Sequence, residues 1–412
     1  MKYNFYRGVL AILMIFAAAA LAAGAPSIPS PHLSGEHVPD ELLVKFAPSV
    51  SPDPVARAVG ARIVDRIPAL GVFVLKVPTG TLEATLLALS RNPLVEYAEV
   101  NGIALALGIT PNDPYADGVN CYNSSHDGCV SQWAWGKIQA YDAWGITTGS
   151  AEVKIAVIDT GIDSAHPDLP LLAPGANFVT KGAPPEDDNG HGTHVAGTIG
   201  ALTNNATGVA GLNWSISLVP VKVLDASGSG TYSAVANGIT WSADNGAKVI
   251  NLSLGGSVPS KTLEAAVKYA WNKGAVLACA AGNSGTTQKL YPAAYTNCIA
   301  VAATDENDQK ASFSNYGKWV DVAAPGVHIL STMPNSPVYL TTQYGYLQDY
   351  DSLSGTSMAT PHVAGLAGLV WARGVCSTNT CVRSRIETTA DPIAGTGTYW
   401  TWGRINAYKA VQ

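Results

Sequence analysis

The alternation of apolar and polar positions divides the chain into three stretches. Residues 9–21 form an apolar run without a charge. From Asp40 to about Leu107, short periodic segments follow one another. Residues 41–46 alternate as a strand, 54–61 take a helical period and 71–77 read as another strand. A helix at 81–91 turns Leu82, Leu86, Leu87 and Leu89 inward, and 95–100 form a closing strand. Read as a βαββαβ unit in which these five elements are located, the stretch predicts a small α+β sandwich of about 65 residues, close to the lower size limit for independent stability. From Trp133 onward the pattern changes. Near-continuous apolar strands at 154–158, 218–224, 248–254, 275–280 and 299–303 alternate with helical patterns, notably 232–245 and 261–273, and a last helix falls at 405–411. Unbroken apolar strands separated by helices predict an α/β domain whose parallel sheet is covered on both faces. In such sheets, sites lie at the carboxyl ends of the strands.

Composition narrows the partners. With 412 residues and 47% apolar content, the chain can fill a full-size core. Its net charge of −6, from 24 basic and 30 acidic side chains, argues against nucleic acid as a partner. Lys2 and Arg7 precede the 9–21 run, and Ala23-Gly24-Ala25 offers a cleavage site after it, so residues 1–25 read as an export signal. An uncleaved membrane anchor is the rival, and the short run disfavours it. Residues 26–39 are a Pro/Ser-rich linker. Six cysteines fall as Cys121/Cys129, Cys279/Cys298 and Cys376/Cys381, and sequence alone permits fifteen pairings in an oxidising compartment. The first and last pairs close short loops, whereas Cys279–Cys298 would link neighbouring strands. Three disulfides are expected, since no spacing resembles a zinc ligand set.

The informative residues fall at strand ends. Asp159 ends the first long strand, in Val157-Ile158-Asp159-Thr160-Gly161-Ile162-Asp163. Asn189-Gly190-His191-Gly192-Thr193-His194-Val195-Ala196-Gly197 comes next. Asn283 follows a later strand, in Ala280-Ala281-Gly282-Asn283-Ser284-Gly285. Gly355-Thr356-Ser357-Met358-Ala359-Thr360-Pro361-His362 delivers a serine onto the first turn of an apolar helix, where unsatisfied backbone N–H groups favour an anion. Singly, each is ambiguous: an Asp or Asn there often only caps a turn, and His191 with His194 offers a weak metal pair.

Taken together, the stretches Asp-Thr-Gly-Ile-Asp, His-Gly-Thr-His-Val-Ala-Gly and Gly-Thr-Ser-Met-Ala-Thr-Pro-His resemble the subtilisin-like serine proteases, the subtilases, in residue type and in order. The segments 110–115 and 203–208 ally the chain with one branch of that family. The resemblance implies a subtilisin-like parallel sheet over 108–412 and an inhibitory, ferredoxin-like prodomain over 40–107. It implies Ser357 as nucleophile, His191 as general base and then acid, and Asp159 as the residue that orients the imidazole. Asn283 and the Ser357 backbone N–H would receive the oxyanion. The first self-cleavage should fall between about Asn101 and Thr110. The chain is read as a monomer acting on peptide substrates, with its own prodomain as intramolecular inhibitor. A catalytically inactive binding protein on the same fold, or a narrow processing protease, are the alternatives.

Substrate and metal residues are likewise carried over by motif. Ser227, Gly228, Ser229, Gly230, Ser253, Leu254, Gly255 and Gly256 lack bulk and would receive an extended peptide as an added strand. Gly255, Gly256, Ala280 and Ala281 would leave an open, uncharged pocket without an acidic residue, which implies broad, apolar-leaning specificity. A structural calcium ion is implied at Asp113, Asp168 and Asn205 by side chain, and at Leu202, Thr207 and Val209 by carbonyl. Glu186, Asp187 and Asp188 leave a second ion open. The 116–132 segment is longer than in that branch, and nothing in its sequence states a purpose.

Overall fold

The computed structural model describes residues 37–102 and 108–412, which form two compact units divided after Leu105. The expected export signal and most of the linker lie outside the described residues, as do 103–107 within the expected self-cleavage stretch.

In the N-terminal unit, strands His37–Phe46, Arg62–Ile67, Val72–Lys76 and Val95–Gly102 and helices Pro52–Ala58 and Leu82–Ser90 follow the expected βαββαβ order. The first strand starts at His37, inside the stretch read as linker. It runs antiparallel to both Val72–Lys76 and Val95–Gly102, with Leu42 opposite Leu75 on one side and Val100 on the other. Arg62–Ile67 forms one edge and Val95–Gly102 the other. Leu42, Val44 and Phe46, on alternate positions, join Leu75, Leu82, Leu86 and Leu89 in one core. Pro52 opens its helix two residues before the expected start, at a position whose N–H has no helical partner anyway.

The larger unit is built on eight parallel strands. Across the sheet they run Gly403–Arg404, Val322–Pro325, Cys298–Thr304, Val276–Ala280, Val249–Leu252, Gly149–Asp159, Ser215–Lys222 and Ala176–Asn177. Successive side chains point to opposite faces, so Ile155 and Val157 enter one core while Ala156 and Ile158 enter the other. The first core takes the helix Thr356–Arg373; the second takes Tyr232–Asp244 and Lys261–Asn272. Leu263, Ala266, Val267 and Ala270 make the buried stripe of the last of these, and Ser260 caps it by accepting from Leu263 N at 3.3 Å. Among the described residues, no helix is long and apolar enough to cross a membrane.

Two of the three expected disulfides form: Cys121–Cys129 and Cys376–Cys381, with Cα atoms 5.2 and 5.5 Å apart. Cys279 and Cys298 do not pair. They sit on neighbouring parallel strands, but Cys279 stands opposite Ala300 and Cys298 opposite Leu277. That stagger sets the two residues diagonally across the strand pair, where the thiols meet in a hydrogen bond rather than an S–S bond. Both thiols are buried, and burial pushes that of Cys279 well above its ordinary range, so it stays protonated.

Candidate active site

The strand Gly149–Asp159 lies where the chain's path across the sheet reverses, with Ser215–Lys222 on one side and Val249–Leu252 on the other. The carboxyl ends beside such a reversal form a crevice. Asp159 ends that strand, Ser253 follows Val249–Leu252, and Asn283 follows Val276–Ala280. His191 opens the helix His191–Gly200. A methyl group on Gly192 would collide with the Gly161 carbonyl, so only glycine lets this helix start so close to the end of the Asp159 strand.

The Asp159 carboxylate is fully buried, and its Oδ1 accepts from His191 Nδ1 at 2.7 Å and from Thr160 N at 2.8 Å. Its Oδ2 is buried without a partner. An imidazolium at His191 is therefore the countercharge this carboxylate lacks at rest. Burial alone would lower the His191 pKa, but the Asp159 charge and hydrogen bond outweigh it and hold the ring above its ordinary value. Asp187 braces the approach: its carboxylate accepts from Thr160 Oγ1 (2.8 Å), Asn189 N (3.0 Å), Gly190 N (2.9 Å), and Thr193 N and Oγ1 (2.9 and 2.7 Å). Lys222, itself buried, donates to Thr160 O at 2.6 Å and to Asp188 Oδ1 at 2.5 Å. Sequence reasoning missed both supports. A lysine closing an apolar strand was the available signal for Lys222.

Ser357 sits at the second residue of Thr356–Arg373. Pro361, fully inside this helix, has no N–H to give to the carbonyl four residues earlier, which is that of Ser357. Ser253 Oγ fills the vacancy, donating to Ser357 O at 2.8 Å, and Asn251 Nδ2 contacts Ser253 Oγ at 3.0 Å. The Ser357 hydroxyl donates to the Ser253 carbonyl at 3.1 Å. A hydroxyl carries one proton, so in this resting arrangement it is directed away from His191.

Asn283 is aimed by its neighbour. Thr356 N and Oγ1 both donate to Asn283 Oδ1 at 2.9 Å, which leaves Nδ2 outward. A methyl group on Gly355 would lie 3.3 Å from Asn283 Nδ2 and 3.6 Å from Ser357 N, so the two donors come within reach of one point that glycine keeps open. Two converging N–H donors beside a hydroxyl suit an oxyanion.

A cavity of about 450 Å³ adjoins His191. Gly228, Ser229, Gly230, Ser253, Leu254 and Gly255 line it as expected, together with Tyr232, Val235, Leu263, Tyr291 and Leu340, which sequence reasoning did not single out. Ser227, Gly256, Ala280 and Ala281 do not line it. Gly256 is exchanged with Tyr291 in a two-hydrogen-bond bridge at 2.9 Å each, and Ala280 and Ala281 are buried in the sheet, the latter against Val320 and Trp400.

The metal expectations divide. His194 is buried with Nε2 on the Ile329 carbonyl (2.9 Å), and burial lowers its pKa to about 3, so it is a core group and forms no ligand pair with His191. Glu186 bonds Ser164, Asp187 the turn before His191 and Asp188 Lys222, so these carboxylates do not share one point. Asp113 and Asp168 do come together on the 202–209 loop. Asp113 accepts from Asn204 N (2.7 Å) and Asn205 N (3.1 Å); Asp168 accepts from Asn205 Nδ2 (2.8 Å) and Val209 N (3.0 Å). Leu202 N donates to the Asp168 carbonyl at 2.9 Å, and Thr207 N to Asn205 Oδ1 at 2.8 Å. Both carboxylates are buried, no lysine or arginine pairs with them among the described residues, and desolvation raises Asp168 to about 6. Two buried carboxylates lacking a countercharge fit a hard cation. No three acidic, histidine or cysteine side chains converge among the described residues, so the other ligands would be amide and carbonyl oxygens.

Comparison with known proteins agrees with this geometry. Residues 150–403 match the subtilase family, and residues 25–101 match the fervidolysin N-terminal prodomain. Thermitase of Thermoactinomyces vulgaris is 55% identical over 304 residues, covering 74% of this chain and 99% of its own length. A thermophilic serine proteinase of Bacillus sp. (strain AK1) is 47% identical over 389 residues, covering 92% of this chain and 89% of its own. Among solved structures, a protease from Pseudoalteromonas arctica superposes with a TM-score of 0.64 at 31% identity, over 74% of this chain and 99% of that one. With a buried Asp–His pair, a serine at a helix start and two converging donors on one sheet rim, the chain belongs to the subtilase family and is a serine endopeptidase preceded by a prodomain.

Proposed function

We propose that the chain is an exported, self-processing zymogen that hydrolyses peptide bonds through an acyl-enzyme. His191 takes the proton of Ser357 as its oxygen attacks the scissile carbonyl, and Asp159 stabilises the resulting imidazolium. Asn283 Nδ2 and Ser357 N receive the oxyanion, and His191 then protonates the leaving amine. Water repeats the sequence to release the acyl group. The Asp159–His191 hydrogen bond of 2.7 Å carries this reading, because it fixes the tautomer that leaves Nε2 free to act as base.

The N-terminal unit is proposed to inhibit the mature enzyme until a first cut between about Asn101 and Thr110 releases it. Residues 1–25 would direct export. A structural calcium ion at Asp113, Asp168 and Asn205, with carbonyls of Leu202, Thr207 and Val209, would neutralise the buried carboxylates and stiffen the loop.

Specificity is proposed to be broad and apolar-leaning. The cavity beside His191 is lined by Leu224, Val235, Leu254, Leu263 and Leu340, and no acidic side chain lines it to select lysine or arginine. That lining disfavours a narrow processing protease, and the intact Asp159, His191, Asn283 and Ser357 disfavour an inactive binding protein. A peptide-library cleavage profile of the purified mature enzyme, with Ser357→Ala alongside, tests the reading. Many apolar-flanked cuts are expected. A single basic recognition sequence would refute the specificity, and cleavage by Ser357→Ala would refute the mechanism.

A further inference from the structure

The disulfide-closed segment around Cys121 takes no part in the chemistry above, yet it is firmly attached. Tyr122–Ser124 pairs antiparallel with Gly128–Val130, and Cys121–Cys129 ties the two strands together. Strands this short do not hold as an isolated hairpin in water, so the cross-link and the docking must keep them. Docking centres on one carboxylate. Asp351 Oδ1 accepts from Ser124 Oγ at 2.6 Å and from Ser125 N at 3.1 Å, while Oδ2 accepts from Ser125 Oγ at 2.5 Å. Around it, Ser352 Oγ donates to Asp127 Oδ2, His328 Nε2 lies 3.4 Å from Asp127 Oδ1, and the His126 ring lies 4.4 Å from that of Tyr346.

Asp351 also faces the other way. It lies in Tyr350–Leu353, which pairs antiparallel with Ile329–Thr332, and the intervening residues 333–349 form an arm. The base of the arm is tied to the same carboxylate, since Leu347 N donates to Asp351 Oδ2 at 2.8 Å. Its far side reaches the catalytic rim: Tyr339 N donates to Asp188 O at 3.1 Å and Leu340 N to Asn189 O at 2.9 Å, two residues before His191. Leu340 lines the cavity beside that histidine. Burial would raise the Asp351 pKa, but the hydrogen bonds from Ser124, Ser125, Leu347 and Ser352 outweigh it, so the carboxylate stays charged and keeps its donors.

We propose that Asp351 is a positioning residue through which the Cys121–Cys129 hairpin holds the 333–349 arm, and with it Leu340, against the bound peptide. The hairpin thereby sets how well the cavity accepts a substrate side chain without touching substrate. The inference rests on the reading that this cavity receives the peptide. The arm has further anchors, with Asn335 N donating to Asp163 Oδ2 at 2.9 Å and His166 Nε2 lying 2.8 Å from Asp349 O, so losing the hairpin loosens it only in part, and a substrate that must then order it binds more weakly. Releasing the brace should therefore raise KM and leave kcat alone.

The test is the Ser124→Ala/Ser125→Ala variant of the mature enzyme, assayed on a peptide whose apolar side chain fills the cavity and on a small ester that does not reach it. KM for the peptide should rise about three- to tenfold, the range expected for ordering one or two side chains. Peptide kcat and ester turnover should stay unchanged, the latter also reporting correct folding. Ser124→Thr/Ser125→Thr keeps both hydroxyls and should keep the original KM. In a Leu340→Ala background the serine pair should have no further effect, because the arm no longer carries the side chain being positioned. An unchanged KM in the alanine pair, or an equal rise in the Leu340→Ala background, would overturn the brace alone. Leu340→Ala with an unaltered peptide KM would remove the cavity reading, and the proposal with it.

Discussion

Ser253 and Ser357 hold each other twice: the Ser253 hydroxyl donates to the Ser357 carbonyl at 2.8 Å, and the Ser357 hydroxyl donates to the Ser253 carbonyl at 3.1 Å. The first contact exists because Pro361 leaves that carbonyl without a helical donor. The second holds the proton of the proposed nucleophile on a neutral acceptor, in keeping with catalytic hydrogen bonds that tighten only in the complex.

Removing the first contact isolates its contribution. Ser253→Ala should lower kcat about fivefold, equivalent to roughly 1 kcal/mol for one lost hydrogen bond. Steady-state kinetics on a peptide substrate measures this directly. An unchanged kcat would mean that Ser357 does not need this tether.

Asn283 carries a larger effect. With Oδ1 fixed by Thr356, its Nδ2 is left free to serve as the proposed oxyanion donor. Asn283→Ala should cost about 10²–10³ in kcat with little change in KM, a magnitude taken from removal of the corresponding donor in subtilisin. Thr356→Val keeps Asn283 but loses one of its two anchors, and should cost less. A raised KM with kcat unchanged for Asn283→Ala would place its role in ground-state binding instead.

The pH profile follows from the Asp159–His191 pair. His191 must be neutral to act as base, and its pKa in the folded protein lies above the ordinary value. Activity should therefore be present at alkaline pH and fall as pH drops through that raised value, with the midpoint of the acid limb of kcat/KM above about 6.5. Asp159→Asn removes the carboxylate charge, which lets burial lower the midpoint, and it also drops kcat by disturbing the tautomer. A midpoint well below 6.5 in the unaltered enzyme would contradict the electrostatic assignment.

The proposed calcium site lies at the 202–209 loop. The folded-state pKa of Asp168 is raised to about 6, above its unfolded value, so the metal-free protein loses stability as pH rises from roughly 4 through 6 and this carboxyl ionises inside the fold. A bound cation offsets that loss and adds about 2.7 kcal/mol when present at a hundredfold excess over Kd. Thermal melts with and without chelator should therefore differ more at pH 8 than at pH 5. Melting temperatures indifferent to chelator at both would argue against the site.

The sequence was most legible where burial imposes a pattern. Strands buried on both faces, such as Val276–Ala280, write unbroken apolar runs, and the Asp159 and Asn283 stretches stand at their ends, whereas His191 and Ser357 open helices. Arg62–Ile67 escaped notice as a strand because this edge is largely exposed and shows no alternation. The pairing expected for Cys279 and Cys298 failed for a related reason. A sequence places both on adjacent strands but does not give their stagger, which separates them by two positions. Ala280 and Ala281, expected with Gly255 and Gly256 to leave an open, uncharged pocket, are buried and do not line the cavity beside His191, whose wall includes Tyr232 and Leu340. Asp187 illustrates the limit for carboxylates. Its place in a run of three acidic residues left a second ion open, and only the fold turns it onto the Gly190 turn.

The assignment of Ser357 as nucleophile is tested most directly by treating the mature enzyme with a phosphonofluoridate and locating the adduct by peptide mass spectrometry. One phosphonyl group on Ser357 is expected, with complete loss of peptide hydrolysis, and no labelling in His191→Ala, where the serine lacks its base. A Ser357→Ala chain should stay folded, unlabelled and unprocessed. An adduct on another residue, or hydrolysis and self-maturation by Ser357→Ala, would contradict the account.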